Sequence, residues 1–148
     1  MKIYIGADHN GFDLKAKLYD FLIRSGHEVI DVGDLKRDAD DDFPQFAGRA
    51  MSALLADDDI DSKAILICGS GQGMAMAANR FKGVRASLCW NQSEARSARN
   101  DDDANVLCLS ARSTPEADAQ AIMNTWLSTP FAGATRFKRR LQELDQLG

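Results

Sequence analysis

Excess basic charge is the first thing this chain lacks. It carries 18 Lys and Arg against 22 Asp and Glu, a formal net charge of −4, and its cations are scattered except at Arg136, Lys138, Arg139 and Arg140. That balance excludes the broad positive footprint of a nucleic-acid binder, so any anionic ligand has to be captured locally. Long apolar runs are missing too. No stretch approaches the roughly 20 residues needed to cross a bilayer, and Met1-Lys2-Ile3-Tyr4-Ile5 reads as the start of a strand instead of a signal peptide. Cysteine is sparse and odd in number, with 3 residues at positions 68, 89 and 108, each inside or at the end of an apolar run. This pattern argues against a disulfide framework and for reduced thiols in a cytoplasmic protein. Internal repeats, linkers and low-complexity segments are also absent. With 148 residues, 45% hydrophobic and 27% charged, one globular domain over residues 1–148 is the expectation.

What the chain does have is a regular alternation. Lys2–Ile5, Glu28–Val32, Ala64–Ile67, Arg85–Cys89 and Asn105–Leu109 read as five strands separated by helical patterns. Leu14, Leu18, Phe21 and Leu22 share one helical face, with Gly26 as a stop signal. Phe46, Ala50, Met51 and Leu54 form a second face after Pro44, and a third helix follows Gly73. Further helices are predicted near Ser93–Ala98, over about Pro115–Leu127 with Ser113 or Thr114 as cap, and from about Arg136 to Leu147. Right-handed crossovers stack such units into one parallel sheet covered on both faces. The predicted architecture is an α/β protein, a Rossmann-like three-layer α/β/α sandwich with a five-stranded parallel sheet. If its first three strands lie in the order 2-1-3, a crevice opens where the winding reverses, beyond the carboxyl ends of strands 1 and 3. The acidic stretches Asp38–Asp42, Asp57–Asp61 and Asp101–Asp103 fall between periodic elements and read mostly as solvated loops and caps.

Two turns meet at that crevice. One carries Gly6-Ala7-Asp8-His9-Asn10-Gly11; the other delivers Cys68 into Gly69-Ser70-Gly71-Gln72-Gly73. Amide groups at such a turn and helix start are unpaired and partly positive, which stabilises a thiolate or an oxyanion beside them. A free cysteine more commonly acts as a small buried hydrophobe, and Cys89 and Cys108, inside hydrophobic strands, keep that reading. For Cys68 the glycine-rich turn and the facing Asp8 and His9 favour chemistry. The G-x-G-x-G pattern after the third strand does not match a dinucleotide fingerprint, which follows the first strand as G-x-G-x-x-G. A cysteine-phosphatase loop fails as well, because the position for its arginine holds Met74. An oxyanion cradle for an enediolate remains, with Ser70 adding a hydroxyl. Asp8 and His9 read equally well as turn residues, and His27 as an exposed strand start. Arg136 and Arg140 stand four apart and can share a helical face gripping a phosphate, or simply make that surface basic. Trp90 and Trp126 fit wall or core positions.

Gly6-Ala7-Asp8-His9-Asn10-Gly11, Asp42-Phe43-Pro44, Ile65 to Gly73, Ala77-Ala78-Asn79-Arg80 and Asp103-Ala104-Asn105-Val106-Leu107 together resemble the type B ribose-5-phosphate isomerase and galactose-6-phosphate isomerase subunit family, over nearly the whole chain. The resemblance implies isomerisation of a phosphorylated aldose through a cis-enediol, without metal or other cofactor, in a homodimer or homotetramer with active sites shared between subunits. It implies that Cys68 is the base, that Ser70 assists ring opening, and that Gly69, Gly71 and Gly73 cradle the enediolate. Asp8 and His9 match residues at the sugar and its phosphate; Arg112, Arg136 and Arg140 match arginines on the phosphate side. One departure concerns ring opening. Where many relatives have His-Asn before Asp-x-Asn-Val, this chain has Asp101-Asp102. An aspartate with a pKa near 3.9 is mostly ionised at pH 7 and is a poor acid. The departure therefore implies slower ring opening that relies on Asp8 and Ser70, or a preference for another sugar phosphate such as a hexose 6-phosphate. A non-catalytic sugar-phosphate sensor is the reading from outside catalysis, and a dinucleotide-dependent oxidoreductase ranks below it.

Overall fold

The alternation of apolar runs and amphipathic stretches folds into one parallel sheet. The computed structural model, which describes residues 1–148, contains β1 (Lys2–Ala7), α1 (Phe12–Arg24), β2 (Glu28–Asp31), α2 (Phe43–Ala56), β3 (Lys63–Cys68) and α3 (Gln72–Ala78). These are followed by β4 (Ala86–Leu88), α4 (Gln92–Asp102), β5 (Val106–Ser110), α5 (Glu116–Ser128) and α6 (Thr135–Asp145). The strands lie in the order β2-β1-β3-β5-β4, and every pairing is parallel. The predicted 2-1-3 order is present. β5 returns to lie between β3 and β4, a placement that the spacing alone did not specify. Its physical reason is burial: Val106-Leu107-Cys108-Leu109 is apolar on both faces and suits a central strand, whereas Ala86-Ser87-Leu88 is half-buried and takes an edge.

Two apolar layers flank the sheet. On one face Ile3, Ile5, Ile65, Ile67, Leu107 and Leu109 pack with α1, α4 and α5, around Leu18, Leu22, Ile122 and Trp126. On the other, Tyr4, Leu66, Val106 and Cys108 pack beneath α2 and α3, around Phe46, Met51 and Met74. The four-residue spacing of Leu14, Leu18 and Leu22 explains why α1 lies flat on the sheet. Each fully buried leucine of this kind contributes about 2–3 kcal/mol. α6 buries no residue and joins neither layer. No helix is long and apolar enough to cross a membrane.

Several local expectations are corrected. α5 starts at Glu116 with Pro115 as its cap, not with Ser113 or Thr114, and α3 starts at Gln72 behind the cap Gly71. Asp101 and Asp102 form the last turn of α4 instead of a loop, while Asp103 caps that helix in the left-handed region at φ 47° and pairs with Arg99 and Arg85. His27 is half-buried, and its Nδ1 has no partner. Trp126 lies in the core, while Trp90 is 65% exposed. Asn79 and Asn105 clip the entry to β4. Asn79 donates to the Ala86 carbonyl and accepts from its N–H, at 3.0 and 2.9 Å. Asn105 accepts from the Arg85 N–H at 2.8 Å and donates to the Gly83 carbonyl at 2.9 Å.

At the amino edge of the sheet, Asp57 gathers four donors. Tyr4 Oη and Ser62 Oγ donate to Oδ2 at 2.8 and 2.9 Å, Lys2 Nζ lies 3.2 Å from the same oxygen, and the Asp59 N–H donates to Oδ1 at 2.9 Å. The hydrogen bond from the Asp59 backbone, then those from Tyr4 and Ser62, hold this carboxyl well below the usual carboxylate range. A depressed folded-state pKa stabilises the fold above the unfolded value of about 3.9, and this stabilisation is lost as pH falls below it. Asp57→Ala is therefore expected to lower Tm by about 4 °C at neutral pH. The deficit should shrink between pH 5 and pH 2, where the native carboxylate loses its advantage; thermal unfolding across that range checks it, and a constant deficit would exclude the carboxylate's role.

Candidate active site

The parallel register places the ends of β1 and β3 side by side, with Ala7 opposite Ile67, so the two turns that follow them share one edge of the sheet. Asp8 continues this pairing, donating its N–H to the Ile67 carbonyl at 3.3 Å. Its buried carboxylate then organises the turn: Oδ1 accepts from the N–H groups of Asn10 and Gly11 at 3.0 and 3.2 Å. Oδ2 has no protein partner. Gly11 is required here by close approach, because a Cβ at that position would lie 2.6 Å from the Ile67 carbonyl oxygen.

After β3 the chain turns with its carbonyls tied down. The Cys68 carbonyl accepts from the Ala111 N–H at 2.9 Å. The Gly69 carbonyl accepts from the Arg112 N–H at 3.0 Å and the Ser110 hydroxyl at 2.9 Å. By contrast, the N–H groups of Gly69, Ser70, Gly71 and Gly73 donate to no protein group, and that of Gln72 makes only a long 3.4 Å bond to Ser70 Oγ. The turn thus presents a fixed row of unsatisfied donors, which is the arrangement that stabilises a developing oxyanion. Gly71 sits at φ +78°, where a Cβ would lie 2.5 Å from Leu88 Cδ1 and 3.0 Å from the Leu109 carbonyl.

Cys68 is 5% exposed on the face shared with Leu66 and Met74, and no hydrogen bond reaches its sulfur. Cys89 and Cys108 are buried, and burial pushes both thiols up from their ordinary range. They are neutral core residues, as the sequence pattern indicates. Arg112 joins the site directly: its Nη2 lies 3.0 Å from where a Cβ on Gly69 would be, with Asn10 Nδ2 at 3.4 Å from the same point. The Phe43 ring closes the other side, 2.8 Å from the Cβ position of Gly73. Asp8, His9, Cys68, Ser70, the three glycines and Arg112 are therefore brought together.

Asp101, Asp102, Arg136 and Arg140 are not. α4 runs back from β4 to the start of β5, and Val106 pairs with Ala64 at the amino end of the sheet, while Cys68 pairs with Ser110 at the carboxyl end. Asp102 thus stands at the opposite edge from the sulfur. Burial and the neighbouring Asp101 raise its pKa, and Arg140 opposes them, so α6 brings Arg140 beside Asp102. Asp101 accepts a 2.8 Å hydrogen bond from Asn100 Nδ2. A hollow of about 610 Å³ lies along this end, lined by Arg80, Arg85, Asp102 and Leu144.

Residues 3–144 match the family model of the ribose/galactose isomerases. The chain belongs to that family. It is 39% identical to ribose-5-phosphate isomerase B of Mycobacterium tuberculosis, over 97% of this chain and 88% of that protein. It is 36% identical to the Escherichia coli protein of the same name, over 97% and 93%. Among solved structures, a ribose 5-phosphate isomerase from Thermotoga maritima superposes with a TM-score of 0.93 at 39% identity, covering 99% of this chain and 98% of that one. Ribose-5-phosphate isomerase B from Mycoplasma genitalium with bound ribulose-5-phosphate gives 0.93 at 37% identity, covering 98% and 94%. Sterics explain why glycine recurs in the turn after β3: a side chain at Gly71 or Gly73 would displace the wall formed by Leu88, Leu109 and Phe43.

Sequence reading missed Asp41, Phe43 and Asn10 as site components. Asp41 was placed within a solvated acidic loop, yet its side chain is 7% exposed and bonded to His9. No local signal marks it, because the two residues are 32 positions apart. Asp8, His9 and Asp41 bring ligand atoms within 4.8 Å of one another. However, Asp41 Oδ1 already accepts from the His9 ring and backbone, and Asp8 Oδ1 from two backbone donors. The group is a hydrogen-bonded unit tied through one oxygen of each carboxylate. Gly71→Ala is expected to lose more than about 3 kcal/mol through steric overlap and left-handed strain and to abolish activity. Gly69→Ala, which meets only the movable Arg112 and Asn10 side chains, should keep its fold; unfolding curves of both variants test this ranking.

Proposed function

We propose that the chain is an aldose–ketose isomerase of a phosphorylated sugar, with ribose 5-phosphate to ribulose 5-phosphate as its reaction. The observation that carries this reading is Cys68 at the start of a turn whose carbonyls are held and whose amide donors are free. In the open-chain aldose, the Cys68 thiolate removes the proton from C2, and the electron pair moves to make the C1–C2 double bond of an enediolate. The C2 hydroxyl passes its proton to O1, the C2 carbonyl forms, and the Cys68 thiol returns its proton to C1. The amide row of Gly69 to Gly73 stabilises the intermediate's negative charge, worth about 3 kcal/mol per well-aimed donor. Ser70 and Asp8 assist ring opening, and His9 and Arg112 hold the phosphate, so remote binding energy fixes a small substrate for proton transfer. Family membership supports the reaction class, and three free buried thiols suit a cytoplasmic setting.

Arg136, Arg140, Asp101 and Asp102 enter this scheme from a second copy of the chain. Within one chain Asp101, Asp102 and Arg140 occupy the opposite end of the sheet, and α6 carries the half-buried Phe137 and Leu141 and the exposed Leu144 beside its arginines. A homodimer, or a homotetramer built from it, brings such a surface to a neighbouring cradle. Asp101 in place of the family's ring-opening histidine favours a second reading, in which a different aldose phosphate, such as a hexose 6-phosphate, is the better substrate.

Cys68→Ala should lower kcat about 10³-fold with KM little changed, measured with a panel of aldose phosphates. Binding and turnover both retained would remove the thiolate base, and a wild-type chain that binds without turnover would be a sensor. Mixing Cys68→Ala with Arg140→Ala subunits should restore about one quarter of the wild-type rate through mixed dimers holding one intact site. No recovery after verified subunit exchange would place each site within a single chain.

A further inference from the structure

We propose that Asp41 is a positioning residue for His9, locking the imidazole so that only Nε2 is presented to the substrate phosphate. The inference rests on the reading of His9 as a phosphate-side group. Two hydrogen bonds converge on one oxygen: Asp41 Oδ1 accepts from the His9 backbone N–H at 2.9 Å and pairs with His9 Nδ1 at 2.8 Å. Backbone and ring of one residue thereby close a loop through a single carboxylate oxygen, which fixes both side-chain torsions of the histidine. The carboxylate can do this because it is itself held, with its side chain 7% exposed against 26% for the ring.

A carboxylate at Nδ1 also determines the proton. A neutral imidazole paired this way carries its hydrogen on Nδ1, and the protonated ring carries a second on Nε2, aimed away from Asp41 and free to donate to a phosphate oxygen. The groups facing the ring are Asp41, Asp8 and Arg37, whose Nε donates to the His9 carbonyl at 3.3 Å. The Asp41 hydrogen bond raises the His9 pKa, Asp8 adds to it, and partial burial and Arg37 oppose it. A raised value keeps the cation present at pH values where an ordinary histidine is half neutral. Loop 33–42 thus acts on the site without touching substrate, through a residue 32 positions away in sequence.

The chain has only 2 histidines, so proton NMR of the imidazole C2 signals follows each one, with His27→Gln assigning the pair. In the wild-type protein His9 should titrate above His27, whose value burial lowers. Asp41→Asn should bring the His9 midpoint down to or below about 6.5. It should also raise KM for ribose 5-phosphate about tenfold at pH 7.5, with a smaller effect on kcat. The KM deficit should narrow at pH 6, where the variant's histidine is protonated again. An unchanged His9 titration and unchanged KM in Asp41→Asn would overturn the inference alone if His9→Ala still raises KM. If His9→Ala leaves KM unchanged, His9 is not at the phosphate and the proposal fails with that reading. The titration is observable in any folded variant, so loss of activity by itself does not decide the matter.

Discussion

Tying the carbonyls of the turn after β3 while leaving its amides free is the constraint on which the site depends. A short glycine turn in isolation would sample many conformations, and its N–H groups would point in many directions. Here the Cys68 and Gly69 carbonyls are held by Ala111, Arg112 and Ser110 from the end of β5. Order is supplied by backbone bonds from a neighbouring strand, so the donors facing outward need no reorganisation when charge develops near them. The same constraint explains the glycines. Gly71 packs against Leu88 and Leu109 at a positive φ, and Gly73 against Phe43, so at these two positions the turn has room only for backbone.

That arrangement requires β5 to lie beside β3. The apolar character of β5 on both faces puts it in the middle of the sheet, and the register that pairs Cys68 with Ser110 follows from stacking two fully buried strands. Core packing and site geometry are therefore one problem. Burial fixes the register, the register delivers Ser110, Ala111 and Arg112 to the turn, and these residues immobilise it.

Charge is divided between the two ends of the molecule. The carboxyl end of the sheet holds Asp8, His9, Asp41 and Arg112 beside the glycine turn, while Asp101, Asp102 and Arg140 collect at the amino end. The two halves of the proposed phosphate grip are complementary but separate, and α6 buries none of its own residues. Within the chain α6 rests on α4, with Leu144 and Leu147 left exposed.

Sequence alone determined the alternation of strands and helices and, once the first three strands take the order 2-1-3, the meeting of Asp8, His9, Cys68 and the glycine turn. These are legible because hydrophobic periodicity and turn chemistry are local, and because winding reversal places two particular turns together. The strings around Cys68 also carried the family resemblance that the comparisons bear out. Tertiary structure decided the rest: the insertion of β5 beside β3, the helical setting of Asp101 and Asp102, the hold of Asp41 on His9, and the placing of Arg140 beside Asp102. Each depends on contacts between residues far apart in the chain, where burial and hydrogen-bond geometry, not local pattern, select the partner.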